Sequence, residues 1–196
     1  MEKTKQKMNL PNKLTILRIL LIPVIVIIPM FSSLSEKILF SGVSLSDLIV
    51  LIVFCIASFT DFLDGYIARK YKLVTDFGKF MDPLADKLLV FAAFIILIEL
   101  NRIEGWIVMI IIAREFMVTG IRILAANNNC VIAASKLGKA KTISQMAAII
   151  ILLLNNYPFQ LISIPMGLIV TYLAALLTIV SGVDYFIKNK SVIIKK

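Results

Sequence analysis

The sequence predicts an all-α integral membrane protein of six transmembrane helices, and three observations predict it. First, 60% of the 196 residues are apolar, against roughly 45–50% in soluble domains, and the mean hydropathy is +0.95. Second, six segments supply the roughly 20 mostly apolar residues that a spanning helix needs: approximately 14–33, 46–68, 79–99, 104–125, 139–155 and 160–187. Third, lysine and arginine gather at alternate ends of those segments, as they do on cytoplasmic flanks.

Residues 1–13 are polar and basic and read as a short juxtamembrane segment. The apolar run that follows continues too far for a cleavable leader and shows no small-residue cleavage site, so it reads as a retained span. Pro11 and Asn12 mark the junction, with Asn12 or Thr15 expected to cap the helix. Pro23 falls inside the first span, where a kink is tolerated if neighbouring helices satisfy the freed carbonyl. The third, fourth and fifth segments carry charges, so the basic residues supply the independent check. The inside groups are Lys3, Lys5, Lys7, Lys13 and Arg18; then Arg69, Lys70, Lys72 and Lys79. They continue with Arg122, Lys136, Lys139 and Lys141, and end with Lys188, Lys190, Lys195 and Lys196. Outside loops hold Lys37 and Arg102, while Lys87 and Arg114 lie within spans. Both termini are therefore expected on the cytoplasmic side. Asn127, Asn128 and Asn129 form a polar turn, residues 155–158 form a short outside loop, and the chain past about Asp184 leaves the membrane. A single membrane domain spans 1–196, with no linker or repeat.

The net charge of +9 comes without a basic stripe and interleaved aromatics on a soluble module, so no nucleic-acid partner is expected. Basic residues facing anionic lipid headgroups explain it. Cys55 and Cys130 have no metal-ligand spacing and read as packing residues. Met8, Trp106 and the tyrosines near span ends read as interfacial anchors or packing.

Charges within spans are costly and mark function or a paired structural contact. Four aspartates occur in two adjacent spans: Asp61 and Asp64 are spaced i, i+3, and Asp82 and Asp86 are spaced i, i+4. Each pair therefore shares one helix face, and the short connection makes the two helices antiparallel neighbours. Asp61 lies eight residues before Arg69 and Asp86 eight after Gly78, which puts both about 12 Å in from the hairpin. Such clustered anions repel one another unless compensated. Arg69, Lys79 and Lys87 are the cations close in sequence. Divalent cations compensate more strongly, and all-oxygen ligands suit Mg²⁺ or Mn²⁺. Two ions bridged by carboxylates would suit phosphoryl chemistry; structural ion pairing is the alternative. With no histidine in the chain, neither a typical structural zinc site nor the usual nucleophilic triad is expected. Gly65, Ala68 and Gly78 are small enough to let helices or a bulky ligand approach, or simply to pack helices.

The pattern D-x2-D-G-x2-A-R-x8-G-x3-D-x3-D, Asp61 to Asp86, resembles the signature of the CDP-alcohol phosphatidyltransferase family at every specified position. The six expected spans agree with that family's transmembrane core. The resemblance implies that Asp61, Asp64, Gly65, Ala68, Arg69, Gly78 and Asp82 bind the CDP end of a lipid. It implies that Asp61, Asp64, Asp82 and Asp86 hold two Mg²⁺ or Mn²⁺ ions, that Asp86 acts as general base, and that the protein is a homodimer.

Three further stretches narrow the acceptor. Residues 9–18 (NLPNKLTILR), 113–122 (AREFMVTGIR) and 138–142 (GKAKT) resemble the bacterial phosphatidylglycerophosphate synthase branch of the family. That resemblance implies CDP-diacylglycerol and sn-glycerol 3-phosphate as substrates and a bacterial plasma membrane, with the active site on the cytoplasmic face. Arg114, Thr119, Arg122, Lys139 and Lys141 are then the candidate binders of the acceptor phosphate. Arginine makes two-point contacts to phosphate, and Lys139 and Lys141 sit at a helix start that favours an anion. Arg122 and Lys139 are otherwise flank charges, and Arg114 otherwise pairs with Glu115 or an aspartate. Cardiolipin synthase-type, inositol phosphate and serine acceptors remain alternatives. The reading from another class is a divalent-cation transporter, which would need polar lining on both sides of the membrane midplane.

Overall fold

Asn9 starts the first helix. Its side chain accepts a hydrogen bond from the Asn12 amide, and Pro11 lies in the first turn, where its missing N–H costs nothing. The cap is thus Asn9, not Asn12 or Thr15 as the sequence suggested. This computed structural model describes residues 9–71, 75–127, 132 and 135–190, though not the side chains of Arg69, Asp76, Lys79 and Asn127. Lys3, Lys5, Lys7, Met8, Lys72, Asn128, Asn129, Cys130, Lys195 and Lys196 lie outside the described residues.

The chain divides into two compact units, Met1–Ala93 and Phe94–Lys196. The first holds α1 (Leu10–Ile27), a 3-10 turn (Ile28–Met30), the short α2 (Ser32–Ser35), α3 (Leu45–Lys70) and most of α4 (Asp76–Glu99). In it, α1 packs along α3. The second holds α5 (Gly105–Asn127), α6 (Lys136–Leu153), a 3-10 turn (Phe159–Ile162) and α7 (Met166–Lys188). There, α7 packs against both α6 and α5.

Helix dominates, in keeping with the all-α expectation, and one short hairpin accompanies it. Strands β1 (Ile38–Phe40) and β2 (Val43–Ser44) pair antiparallel before α3. Ser41 and Gly42 turn the hairpin at φ 44° and 74°, as a two-residue loop requires. Ser44 then caps α3 in a capping box with Asp47, satisfying exposed amides at the helix start.

The last helix also starts later than predicted, at Met166 rather than 160. Asn155, Asn156 and Ser163 adopt left-handed backbone conformations, and prolines stand at 158 and 165, so the intervening residues form turns. Asn156 accepts from the Gly167 amide at 2.8 Å and donates to the Ile164 carbonyl at 2.7 Å, tying this loop to the head of α7.

Burial is arranged opposite to that of a water-soluble helix. Helix α1 buries Asn12, Thr15 and Arg18 while Leu17, Leu20, Val24 and Ile27 are exposed. Helix α7 buries Gly167, Thr171, Ala174, Thr178, Ser181 and Gly182 and exposes Leu173, Leu176, Ile179 and Val183. Small and polar residues let membrane helices approach, and hydrogen bonds then join them. Gln145 of α6 accordingly donates to the Thr178 hydroxyl at 3.0 Å in a buried position. Three helical stretches, Leu10–Met30, Leu45–Ala68 and Met166–Lys188, are long and apolar enough to cross a membrane. Helices α4, α5 and α6 overlap the predicted segments 79–99, 104–125 and 139–155, and carry the charged side chains analysed below.

Candidate active site

The four aspartates face a polar stripe on α1. Asn12, Thr15 and Arg18 recur every three residues, the spacing that stacks side chains on one helical face. The Arg18 side chain is 0% exposed. One terminal nitrogen of its guanidinium contacts Asp61 at 2.9 Å and also Asp86, and the other contacts Asp64. One turn earlier, the Thr15 hydroxyl lies 2.5 Å from the Asp82 carboxylate. The face of α1 thus meets all four carboxylates, two from α3 and two from α4.

The rest of the stripe fixes the start of α4. Asn12 accepts from the Thr75 hydroxyl at 2.9 Å, and that hydroxyl accepts from the Gly78 amide at 3.0 Å. A Cβ on Gly78 would stand 3.2 Å from the Asn12 oxygen and 3.5 Å from an Asp82 oxygen. The glycine therefore leaves room for polar groups of α1 beside the second aspartate pair. Gly65 and Ala68 are half-buried on α3. The side chain of Arg69 is outside the described residues.

The donor chemistry fits hard divalent cations, since carboxylate and hydroxyl oxygens are the ligands they take. Among the described residues the acidic groups do not close into a ready-made ligand cage; Arg18 lies among them. The resident guanidinium shows that the cluster accommodates a cation. One guanidinium thus stands among carboxylates of two helices. The Asp61 and Asp86 side chains are 42% and 43% exposed, which leaves a side open to solutes.

A second cluster lies in the other unit. Glu115 on α5 accepts from Arg114 at 3.0 Å and from Lys141 of α6. These side chains are 10%, 14% and 5% exposed for Arg114, Glu115 and Lys141. A Cβ on Gly182 of α7 would stand 3.0 Å from the Arg114 stem, so a glycine is what lets α7 pass beside it. Arg114 Nε is buried without a hydrogen-bond partner among the described residues.

Only some of the expected acceptor-site residues come together here. Arg114 and Lys141 share Glu115, whereas Arg122 donates to the Tyr185 hydroxyl at 3.2 Å and lies over its ring. Eight residues of helix separate the two arginines by about 12 Å. Lys139 is exposed while Lys141 is buried, because helix positions two apart do not face the same way. The Thr119 hydroxyl donates to the Glu115 backbone carbonyl at 2.6 Å.

Arg18, Thr15, Asn12, Glu115, Gly182 and Tyr185 were missing from the sequence-based site. The signal for the first three was present as polar residues at threefold spacing in an otherwise apolar span. The second unit also contains a cavity of about 700 Å³ lined by residues including Arg102, Trp106, Asn156 and Tyr172. It includes none of the sequence-predicted site residues, and Arg102 there donates to the Leu152 and Leu153 carbonyls.

The family model described as CDP-alcohol phosphatidyltransferase matches residues 8–180. A Bacillus subtilis (strain 168) CDP-diacylglycerol–glycerol-3-phosphate 3-phosphatidyltransferase is 49% identical over 183 residues, covering 92% of this chain and 95% of the relative. The protein of the same name from Rickettsia typhi is 42% identical, covering 91% and 95%. That from Haemophilus influenzae is 39% identical, covering 91% and 92%. The match runs through both the aspartate cluster and the Arg114 cluster, and the chain belongs to the CDP-alcohol phosphatidyltransferase family.

Proposed function

We propose that this chain transfers the phosphatidyl group of CDP-diacylglycerol to sn-glycerol 3-phosphate, forming phosphatidylglycerophosphate and CMP in phospholipid biosynthesis. The observation that carries the reading is the convergence of Asp61, Asp64, Asp82 and Asp86 on the polar face of α1. The relatives named for this reaction match nearly the whole chain.

The acceptor hydroxyl attacks the lipid-bearing phosphorus. The bond from that phosphorus to the CMP oxygen breaks, and CMP leaves with the electron pair. Asp86 takes the hydroxyl proton, a role supported by its partial exposure beside the enclosed Arg18 and Asp64. The CDP end of the lipid lies along Asp61, Asp64, Gly65, Ala68, Arg69, Gly78 and Asp82. Two Mg²⁺ or Mn²⁺ ions held by Asp61, Asp64, Asp82 and Asp86 would offset the charge spread over the phosphoryl oxygens, the main demand of such transfers. Arg114 and Lys141 bind the acceptor phosphate, both held by Glu115; Arg122, Thr119 and Lys139 complete that region. The same reading has six spans, with termini and aspartates on the cytoplasmic face of a bacterial plasma membrane, supported by the Lys and Arg asymmetry. It also includes the homodimer that the family resemblance implies.

The direct test is CMP release by the purified protein in detergent, given CDP-diacylglycerol and Mg²⁺ with candidate acceptors one at a time. Glycerol 3-phosphate alone is expected to drive release, and chelation to stop it. Release driven by another alcohol would move the acceptor assignment, and no release with any acceptor would favour transport. Asp86→Asn is expected to abolish turnover while CDP-lipid binding survives; undiminished turnover would remove it as base. Arg114→Ala is expected to raise the KM for glycerol 3-phosphate at least tenfold more than that for CDP-lipid, about the effect of 1.4 kcal/mol. Equal changes in both would make Arg114 structural.

A further inference from the structure

The guanidinium of Arg18 makes an unusual set of contacts. Arginine paired with a carboxylate commonly forms a two-point fork with one partner. Here two terminal nitrogens serve three carboxylates, one oxygen each, on two different helices. Nε of the same side chain is buried with no hydrogen-bond partner among the described residues, although a buried unsatisfied donor is costly. Arg18 is therefore spread across Asp61, Asp64 and Asp86 as a bridging positive charge, and its own donor capacity is only partly met.

We propose that Arg18 is a tethered placeholder for a divalent cation. In the metal-free protein its guanidinium gathers the three aspartates and holds α1, α3 and α4 together. When a metal ion enters, the guanidinium withdraws from them. This rests on the metal-dependent reading above and adds a role for a residue outside the aspartate signature. Three features carry it. The bridging position joins both helices that supply the carboxylates. Asp61 and Asp86 are partly exposed although the arginine they contact is fully enclosed. A divalent ion, finally, brings twice the charge and takes oxygen ligands at about 2.0–2.1 Å in the case of Mg²⁺, closer than an N–H donor can approach. Arg18 is then a positioning residue that lowers metal affinity while keeping the aspartates gathered.

The experiment is Mn²⁺ binding to the full-length protein in detergent after chelator treatment, read as free Mn²⁺ by electron paramagnetic resonance. Wild type, Arg18→Gln and Arg18→Lys are compared. Arg18→Gln is expected to bind Mn²⁺ at least tenfold more tightly than wild type. Arg18→Lys is expected to bind several-fold more tightly although it keeps the charge, because an ammonium cannot span three carboxylates. In chelator, both variants are expected to unfold at lower temperature than wild type, with the gap narrowing in saturating Mn²⁺. Equal or weaker Mn²⁺ binding by Arg18→Gln overturns the placeholder. So does Arg18→Lys binding as wild type does, which would make Arg18 a bystander charge.

Since the variants can fail to fold, the wild-type protein supplies a second reading. In crystals grown with Mn²⁺, the anomalous peak is expected among Asp61, Asp64 and Asp86, with the guanidinium clear of all three. A peak there with the guanidinium still in contact overturns the proposal. Absence of Mn²⁺ binding by wild type and variants alike would instead overturn the metal reading itself, and the placeholder with it.

Discussion

Four carboxylates in one apolar setting must be compensated or they force their helices apart, and the buried guanidinium of Arg18 is where that compensation begins. Removing one partner from a buried ion pair costs on the order of 3–5 kcal/mol, a large share of the roughly 5–15 kcal/mol that stabilises a typical domain. The arrangement of the first unit follows from this constraint. Helix α1 has to present Arg18 and Thr15 to α3 and α4, so its polar face turns inward and its leucines and isoleucines turn outward. Asn12 and Thr75 then align the start of α4, and Gly78 is small because those polar atoms lie against it.

The second unit solves the opposite problem with the same chemistry. There one carboxylate, Glu115, meets two cations, Arg114 and Lys141. A surplus of positive charge held in place by one carboxylate is suited to an additional anion such as a phosphate. Glycine again makes the room, because α7 passes the Arg114 stem at Gly182. One cluster thus sets several carboxylates around one guanidinium, and the other sets two cations around one carboxylate.

Much of this was legible in the chain. The aspartate pairs are local in sequence, and their i, i+3 and i, i+4 spacing states the face they share. The positions of α3 to α6 follow from apolar runs of helical length. Arg18 was less visible, because it lies 43 residues before Asp61, and an arginine near the start of a span reads equally well as a cytoplasmic flank charge. Its threefold spacing from Asn12 and Thr15 was the signal to the contrary. Glu115 was named only as a possible partner of Arg114, since its bond to Lys141 depends on how α6 packs. The β1–β2 hairpin and the late start of α7 depend on two and three positive-φ loop residues respectively, which apolarity does not report.

The central claim is that Arg18 and the aspartates form one coupled unit that holds the first three long helices. A double-mutant cycle on Arg18→Met and Asp64→Leu, read as unfolding free energy in chelator, measures that coupling directly. Arg18→Met leaves the buried Asp64 without its guanidinium, and Asp64→Leu leaves Arg18 one carboxylate short, so a coupling above about 1 kcal/mol is expected, with the double variant more stable than the sum of the singles implies. Additivity within about 0.3–0.5 kcal/mol would mean that the two side chains do not depend on each other, and would contradict the arrangement from which the site is built.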